Sequence, residues 1–227
     1  MTQSAASYSL HDGKSPAEYE IRRQFLRSLA RSRHEKSPFD YWLLENALPD
    51  VTVREIAALP VSVPTGMLFY GKREVNNAAR IYFSPENQRT YDVCAEMAKA
   101  FRHPEMIAAL SEETGSDLSK GMLRIEYCQD TDGFWLEPHV DISVKLFTML
   151  IYLSDDPALC DAGTDIYDDT PEHNIVATAQ YEKNRGMIFI PGKNTWHGFS
   201  KRPIKGIRKS IIINYVTPEW RDKWELA

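Results

Sequence analysis

Apolar positions recur at helical spacing near the start of the chain, where Tyr19, Phe25, Leu26 and Leu29 form one stripe. The stripe is opened by Ser15-Pro16-Ala17-Glu18, an N-cap followed by proline at the first helical position. The aromatic-rich run PFDYWLLENAL (38–48) leads through Pro49-Asp50 into a short helix, VTVREIAAL, with Asp50 as the expected N-cap and Pro60 as the stop. Met67-Leu-Phe-Tyr and Ala79-Arg-Ile-Tyr-Phe read as strands or strand edges, followed by helices over about 85–101 and 104–112. After Gly115 the period shortens to two. MLRIEYC, FWLEPHVDI, KLFTMLIYL, DIYDD, NIVATAQY, MIFIP and SIIINYV arrive at short intervals, separated by turn-rich stretches such as QDTDG and EKNRG. The expected fold is mainly β with helical support: a jelly roll or related barrel at 116–217, preceded by N-terminal α-helices in 1–115 that support and lid it. No linker separates the halves, so 1–227 reads as one domain.

Composition narrows the class. The chain has 227 residues, 43% hydrophobic and 26% charged, with a mean hydropathy of −0.43, which suits a folded globular protein rather than a disordered or fibrous one. The longest apolar run, 146–153, is too short to cross a membrane, and the N-terminus has no apolar signal core, so a cytoplasmic protein is expected. The three cysteines, Cys94, Cys128 and Cys160, form no CxxC motif and read as reduced thiols. A net charge of −5 argues against a general nucleic-acid binder, although Lys201, Arg202, Lys205, Arg208 and Lys209 crowd into one short stretch.

His139-Val140-Asp141 lies on an expected strand, where residues two apart project from one face and can both point into the barrel. His197, beyond the strand MIFIP and the turn GKNTW, supplies a third donor. Its competitor, His173, sits in the acidic loop DDTPEHN. Two histidines and one carboxylate leave coordination positions open, as in non-haem Fe(II) oxygenases. The alternative is three unrelated polar residues. Arg208 tilts the choice, because period two sends it inward together with Ser210 beside the metal. A buried cation needs an anion. No acidic side chain on its own strand provides one, whereas the far carboxylate of a chelating dicarboxylate would.

These residues, with LFTMLIYLSDD after the first motif and Gly163-Thr-Asp-Ile-Tyr further on, resemble the 2-oxoglutarate and Fe(II)-dependent dioxygenases of the double-stranded β-helix (cupin-like) fold. The resemblance covers about 121–217 and extends weakly to PFDYWLLENALPD, which looks like a segment of the prolyl-hydroxylase-like branch. It implies Fe(II) held by His139, Asp141 and His197. It also implies 2-oxoglutarate on the iron with its 5-carboxylate at Arg208 and Ser210, O2 as co-reactant, and ascorbate as a stimulant. Hydroxylation of a small molecule or peptidyl residue, with release of succinate and CO2, is the implied reaction. Tyr127 resembles a tyrosine that contacts the cosubstrate in some relatives, with a core role as its alternative. Thr148 is a candidate for the 5-carboxylate, and Arg124 reads as the ion-pair neighbour of Glu126. Asn76, Asn77 and Arg80, on the expected loop over the barrel mouth, are substrate-contact candidates. A nucleic-acid demethylase of this superfamily would carry a second arginine six residues after Arg208, where this chain has Asn214. A cupin-like metal-binding protein or isomerase without 2-oxoglutarate turnover is the remaining alternative, though Glu137-Pro-His139 lacks the denser His/Glu set of a cupin motif.

Overall fold

A computed structural model describes residues 16–63, 69–72 and 79–227. Ser15, Met67, Asn76 and Asn77 lie outside the described residues. Among the described residues, five helices occupy the first half: α1 (Pro16–Leu29), α2 (Asp50–Ala57), α3 (Pro85–Thr90), α4 (Asp92–Arg102) and α5 (Pro104–Thr114). Two differ from expectation. Pro49 takes the N-cap position of α2, so Asp50 is its first residue and caps nothing. The single helix expected over 85–101 breaks at Tyr91, whose extended backbone (φ −127°, ψ 114°) ends α3 and starts α4. α5 ends at Gly115, whose left-handed φ of 71° lets its N–H close the last turn on Ser111.

The same half also supplies strands, because tertiary pairing recruits short extended stretches that carry little pattern of their own. These are β1 (Arg33–Glu35) and β2 (Tyr41–Leu44) in the aromatic-rich run, whereas β3 (Arg80–Tyr82) falls within the strand expected at Ala79–Phe83. The second half contributes β4 (Met122–Asp130), β5 (Leu136–His139), β6 (Lys145–Tyr152), β7 (Thr164–Tyr167), β8 (Ile175–Ala179), β9 (Gly186–Phe189), β10 (His197–Phe199) and β11 (Arg208–Val216). Among the described residues they form two antiparallel sheets. The larger runs β1-β2-β9-β6-β11-β4-β3 and the smaller β5-β10-β7-β8. This is the jelly-roll arrangement, mainly β with a helical layer behind it.

Alternation along the central strands decides what each side chain meets. Ile211, Ile213 and Tyr215 of β11, with Phe147, Met149 and Ile151 of β6, face the helices and pack with Ile21, Phe25, Ile56, Met97 and Phe101. Each such burial contributes about 1.5–3 kcal/mol. The intervening positions, Arg208, Ser210, Ile212 and Asn214 on β11, face the smaller sheet. There Ile212 packs with Leu150, Ile166, Met187 and Phe189. The larger sheet is thus apolar on its helical face and mixed on its inner face, and the mixed face carries the chemistry.

Candidate metal centre and its pocket

The two histidines meet through strand pairing. β10 lies antiparallel to β5 with His197 directly opposite His139, and their ring centroids are 4.3 Å apart. This short strand, just after the turn GKNTW, was not among the expected strands, and Gly198 is what permits it. A Cβ there would stand 2.7 Å from the Leu136 carbonyl oxygen, closer than any ordinary side chain tolerates. β5 ends at His139, so Asp141 is not strand-borne as expected. It leaves the sheet in the following turn, and its carboxylate returns to the histidines by side-chain bonds rather than by alternation. Ligand atoms of His139, Asp141 and His197 all lie within 4.8 Å of one another. His173, the competitor, packs instead against Trp196, with ring centroids 4.0 Å apart and the planes tilted by 35°.

Hydrogen bonds to main-chain carbonyls leave the same ring nitrogen of both imidazoles available to a metal. Nδ1 of His139 lies 2.9 Å from the Glu137 carbonyl oxygen, and Nδ1 of His197 lies 2.9 Å from that of Thr195. A carbonyl only accepts, so each Nδ1 carries the proton and each Nε2 keeps its lone pair for a metal. Burial, helped by neighbouring His139, pushes the His197 pKa down to about 4. Burial alone would raise the Asp141 carboxyl. The Lys145 ammonium at 2.6 Å from Oδ1 and the Thr148 hydroxyl at 2.6 Å from Oδ2 instead hold it well below the usual carboxylate range. Two neutral nitrogens and one anionic oxygen fit a divalent first-row cation with positions left over for other ligands.

A cavity of about 400 Å³ runs between the sheets past this triad, with Arg208 and Thr164 at one part of its wall and Arg80, Arg124, Glu126 and Trp220 at another. Arg208 is buried as expected, at 1% exposure, but its anion is already within the chain. Asp130, opposite Arg208 in the β4–β11 register, accepts a bond from Nη1 at 2.7 Å. Nε donates to the Ala162 carbonyl at 2.7 Å, and Nη2 lies 3.4 Å from Thr164 Oγ1. The neighbouring strand thus supplies the counter-ion that Arg208's own strand lacks. Ser210 is fully buried, and among the described residues its hydroxyl has no hydrogen-bond partner.

Two cosubstrate candidates stand elsewhere than expected. Tyr127 faces the helices: its hydroxyl donates to the Ala57 carbonyl and accepts from Gln129 Nε2. Period two explains this, since Arg124, Glu126 and Asp130 of the same strand take the inner face. Thr148 does point inward, but it sits beside Asp141, opposite Asn214 and six residues along β11 from Arg208. Arg80 lines the cavity and pairs with Glu126 at 3.1 Å, and Arg124 pairs with the same carboxylate at 2.9 Å. Asp130, Lys145 and Tyr152 were not singled out from the sequence. The buried Tyr152 hydroxyl exchanges hydrogen bonds with Thr164, 2.8 Å from its Oγ1 and 3.1 Å from its backbone nitrogen. The Arg208 guanidinium carbon lies 5.7 Å from the Tyr152 ring. Counting by twos from Thr148 would have found it.

The chain has a 2-oxoglutarate and Fe(II) dioxygenase-like fold. It superposes on a prolyl-4-hydroxylase from Pseudomonas putida with a TM-score of 0.53 at 15% identity, covering 87% of this chain and 93% of that one. A prolyl hydroxylase from Trichoplax adhaerens, solved with a hypoxia inducible factor oxygen degradation domain peptide fragment, gives 0.54 at 15% identity over 88% and 90%. Prolyl 4-hydroxylase from Phytophthora capsici gives 0.55 at 11% identity over 92% and 68%. No family model matches the sequence, and no curated protein does either. No helix among the described residues is long and apolar enough to cross a membrane.

Proposed function

We propose that this protein is a non-haem Fe(II), 2-oxoglutarate-dependent dioxygenase that hydroxylates a C–H bond of a small molecule or peptidyl residue. The observation that carries the reading is the convergence of His139, Asp141 and His197 within 4.8 Å, in a cavity whose wall also holds the buried Arg208. Fe(II) would be held by these three side chains, and with 2-oxoglutarate and O2 it supplies oxidation of the substrate coupled to decarboxylation to succinate and CO2. The chain's own part is binding, orientation and exclusion of water. Arg208 and Thr164, both on the cavity wall, offer donors for a carboxylate, and the buried Ser210 hydroxyl, two residues along β11 from Arg208, is without a partner among the described residues. Asp130 balances the Arg208 charge while no anion is bound. Lys145 and Thr148 hold the Asp141 carboxylate toward the imidazoles.

Arg80 lines the same cavity and would be available to a substrate there. The peptide bound by the Trichoplax neighbour supports peptidyl substrates as one kind. The whole of 1–227 acts on this reading as one catalytic unit. Its free cysteines fit a reducing compartment such as the cytoplasm, where iron stays ferrous. The test is succinate formation from 2-oxoglutarate with Fe(II), O2 and ascorbate, including the slow uncoupled turnover without substrate. Succinate that depends on His139 and Asp141 is expected. Absence of both succinate and 2-oxoglutarate binding in iron-loaded protein would sink the proposal.

A further inference from the structure

Asp141 stands outside the sheet, so something other than strand geometry must aim its carboxylate. Across the three central strands one register level is polar on the inner face: Arg124 of β4 lies opposite Asn214 of β11, which lies opposite Thr148 of β6. All three are nearly or fully buried, at 5%, 0% and 3% exposure. Arg124 Nη1 donates to Asn214 Oδ1 at 3.3 Å, Asn214 Nδ2 donates to Thr148 Oγ1 at 2.9 Å, and Thr148 Oγ1 donates to Asp141 Oδ2 at 2.6 Å. The direction is dictated by chemistry. A guanidinium has donors only, so it claims the asparagine oxygen and turns the amide nitrogen toward Thr148. That hydroxyl then accepts from the amide, and its single proton goes to the carboxylate. Arg124 is itself fixed by Glu225 at 2.6 Å and Glu126 at 2.9 Å, between the rings of Tyr82 and Trp220 at 4.9 and 5.0 Å.

We infer that Thr148 and Asn214 are positioning residues for the metal centre, and that this oriented chain, anchored on Arg124, holds the Asp141 carboxylate in its ligating orientation. The inference rests on the metal-site reading above. A fully satisfied buried chain of this kind has one low-energy arrangement, and groups that orient metal ligands typically influence affinity by about 10- to 100-fold.

The test uses the full chain, metal-free and then titrated with Mn(II) alone, with affinity read by calorimetry and by the free-ion electron paramagnetic resonance signal. Thr148→Val keeps the shape and deletes the donor. It is expected to weaken Mn(II) binding by about 10- to 100-fold with circular dichroism unchanged, and Thr148→Ser is expected to restore it to within about threefold. Asn214→Leu should weaken binding as well, and the Thr148→Val/Asn214→Leu double variant should bind no more weakly than the worse single variant, because both act through one chain. Folded Thr148→Val with wild-type Mn(II) affinity would overturn the inference while leaving the metal site standing. Should Thr148→Val not fold, Asn214→Leu decides by the same criterion. Wild-type protein that binds no Mn(II), or binds it as well after His139→Ala, overturns both readings.

Discussion

Replacing Asp130 by asparagine deletes the negative charge that faces the Arg208 guanidinium in a site where both side chains are buried, at 7% and 1% exposure. Removing one partner of such a pair leaves an uncompensated charge and costs about 3–5 kcal/mol. Asparagine keeps an acceptor for Nη1, and the bonds to the Ala162 carbonyl and Thr164 stay in place, so the lower end, about 3 kcal/mol, is expected. In a chain of this length that corresponds to a fall of about 6–12 °C in Tm. The informative measurement is the same melt with 2-oxoglutarate added. In wild-type protein an entering carboxylate meets a guanidinium already neutralised, whereas in Asp130→Asn it restores the missing charge. One charge-assisted hydrogen bond more fully realised is worth about 1.5 kcal/mol, or about tenfold in affinity. The variant should therefore be less stable alone yet gain more from 2-oxoglutarate than wild type does. An unchanged Tm would refute the burial argument, and a smaller response to 2-oxoglutarate would refute the placement of its carboxylate at Arg208.

Tyr152→Phe should weaken 2-oxoglutarate binding by about tenfold, whereas Tyr127→Phe should leave it unchanged and cost only about 1 kcal/mol of stability through the bonds to Ala57 and Gln129. Titration of both variants by calorimetry checks this, and the opposite ranking would return Tyr127 to the pocket. The metal-free protein should lose stability as pH falls from about 6.5 to about 4. Over that window the unfolded chain binds a proton at this histidine that folded, buried His197 refuses; the loss is about 3 kcal/mol, read from urea midpoints across the window. A flat profile in chelator-treated protein would contradict the neutral imidazole. Gly163→Ala should destabilise by about 1–3 kcal/mol or more, since its Cβ would stand 2.1 Å from the Ala179 carbonyl oxygen. Urea denaturation of the variant measures it, and wild-type stability would mean that β7 and β8 part without cost.

Most of the strands were legible because period-two alternation is a local property. The stretch from Arg208 to Val216 announces both its strand and its inner face, and so does Lys145 to Tyr152. Two short strands were not legible: Arg33–Glu35 and His197–Phe199 have three residues each, too few to show a period, and exist because a neighbour pairs with them. The three residues of the triad do come together, but for a partly different reason. Alternation was expected to join His139 to Asp141, whereas cross-strand register joins His139 to His197, and side-chain bonds from Lys145 and Thr148 bring in the carboxylate.

The sequence by itself determined the β-rich second half, the helical support before it, and an arginine that must be buried on the inner face. Those follow from composition and local periodicity. Tertiary structure alone decided which charge meets Arg208, which way Tyr127 points relative to the site, and how Arg124, Asn214 and Thr148 line up behind Asp141. Such facts depend on strand register, which couples residues about 80 to 90 positions apart, as in Asp130 with Arg208 or Arg124 with Asn214. A slip of one residue would turn every inner side chain outward, and no local stretch of sequence carries that information.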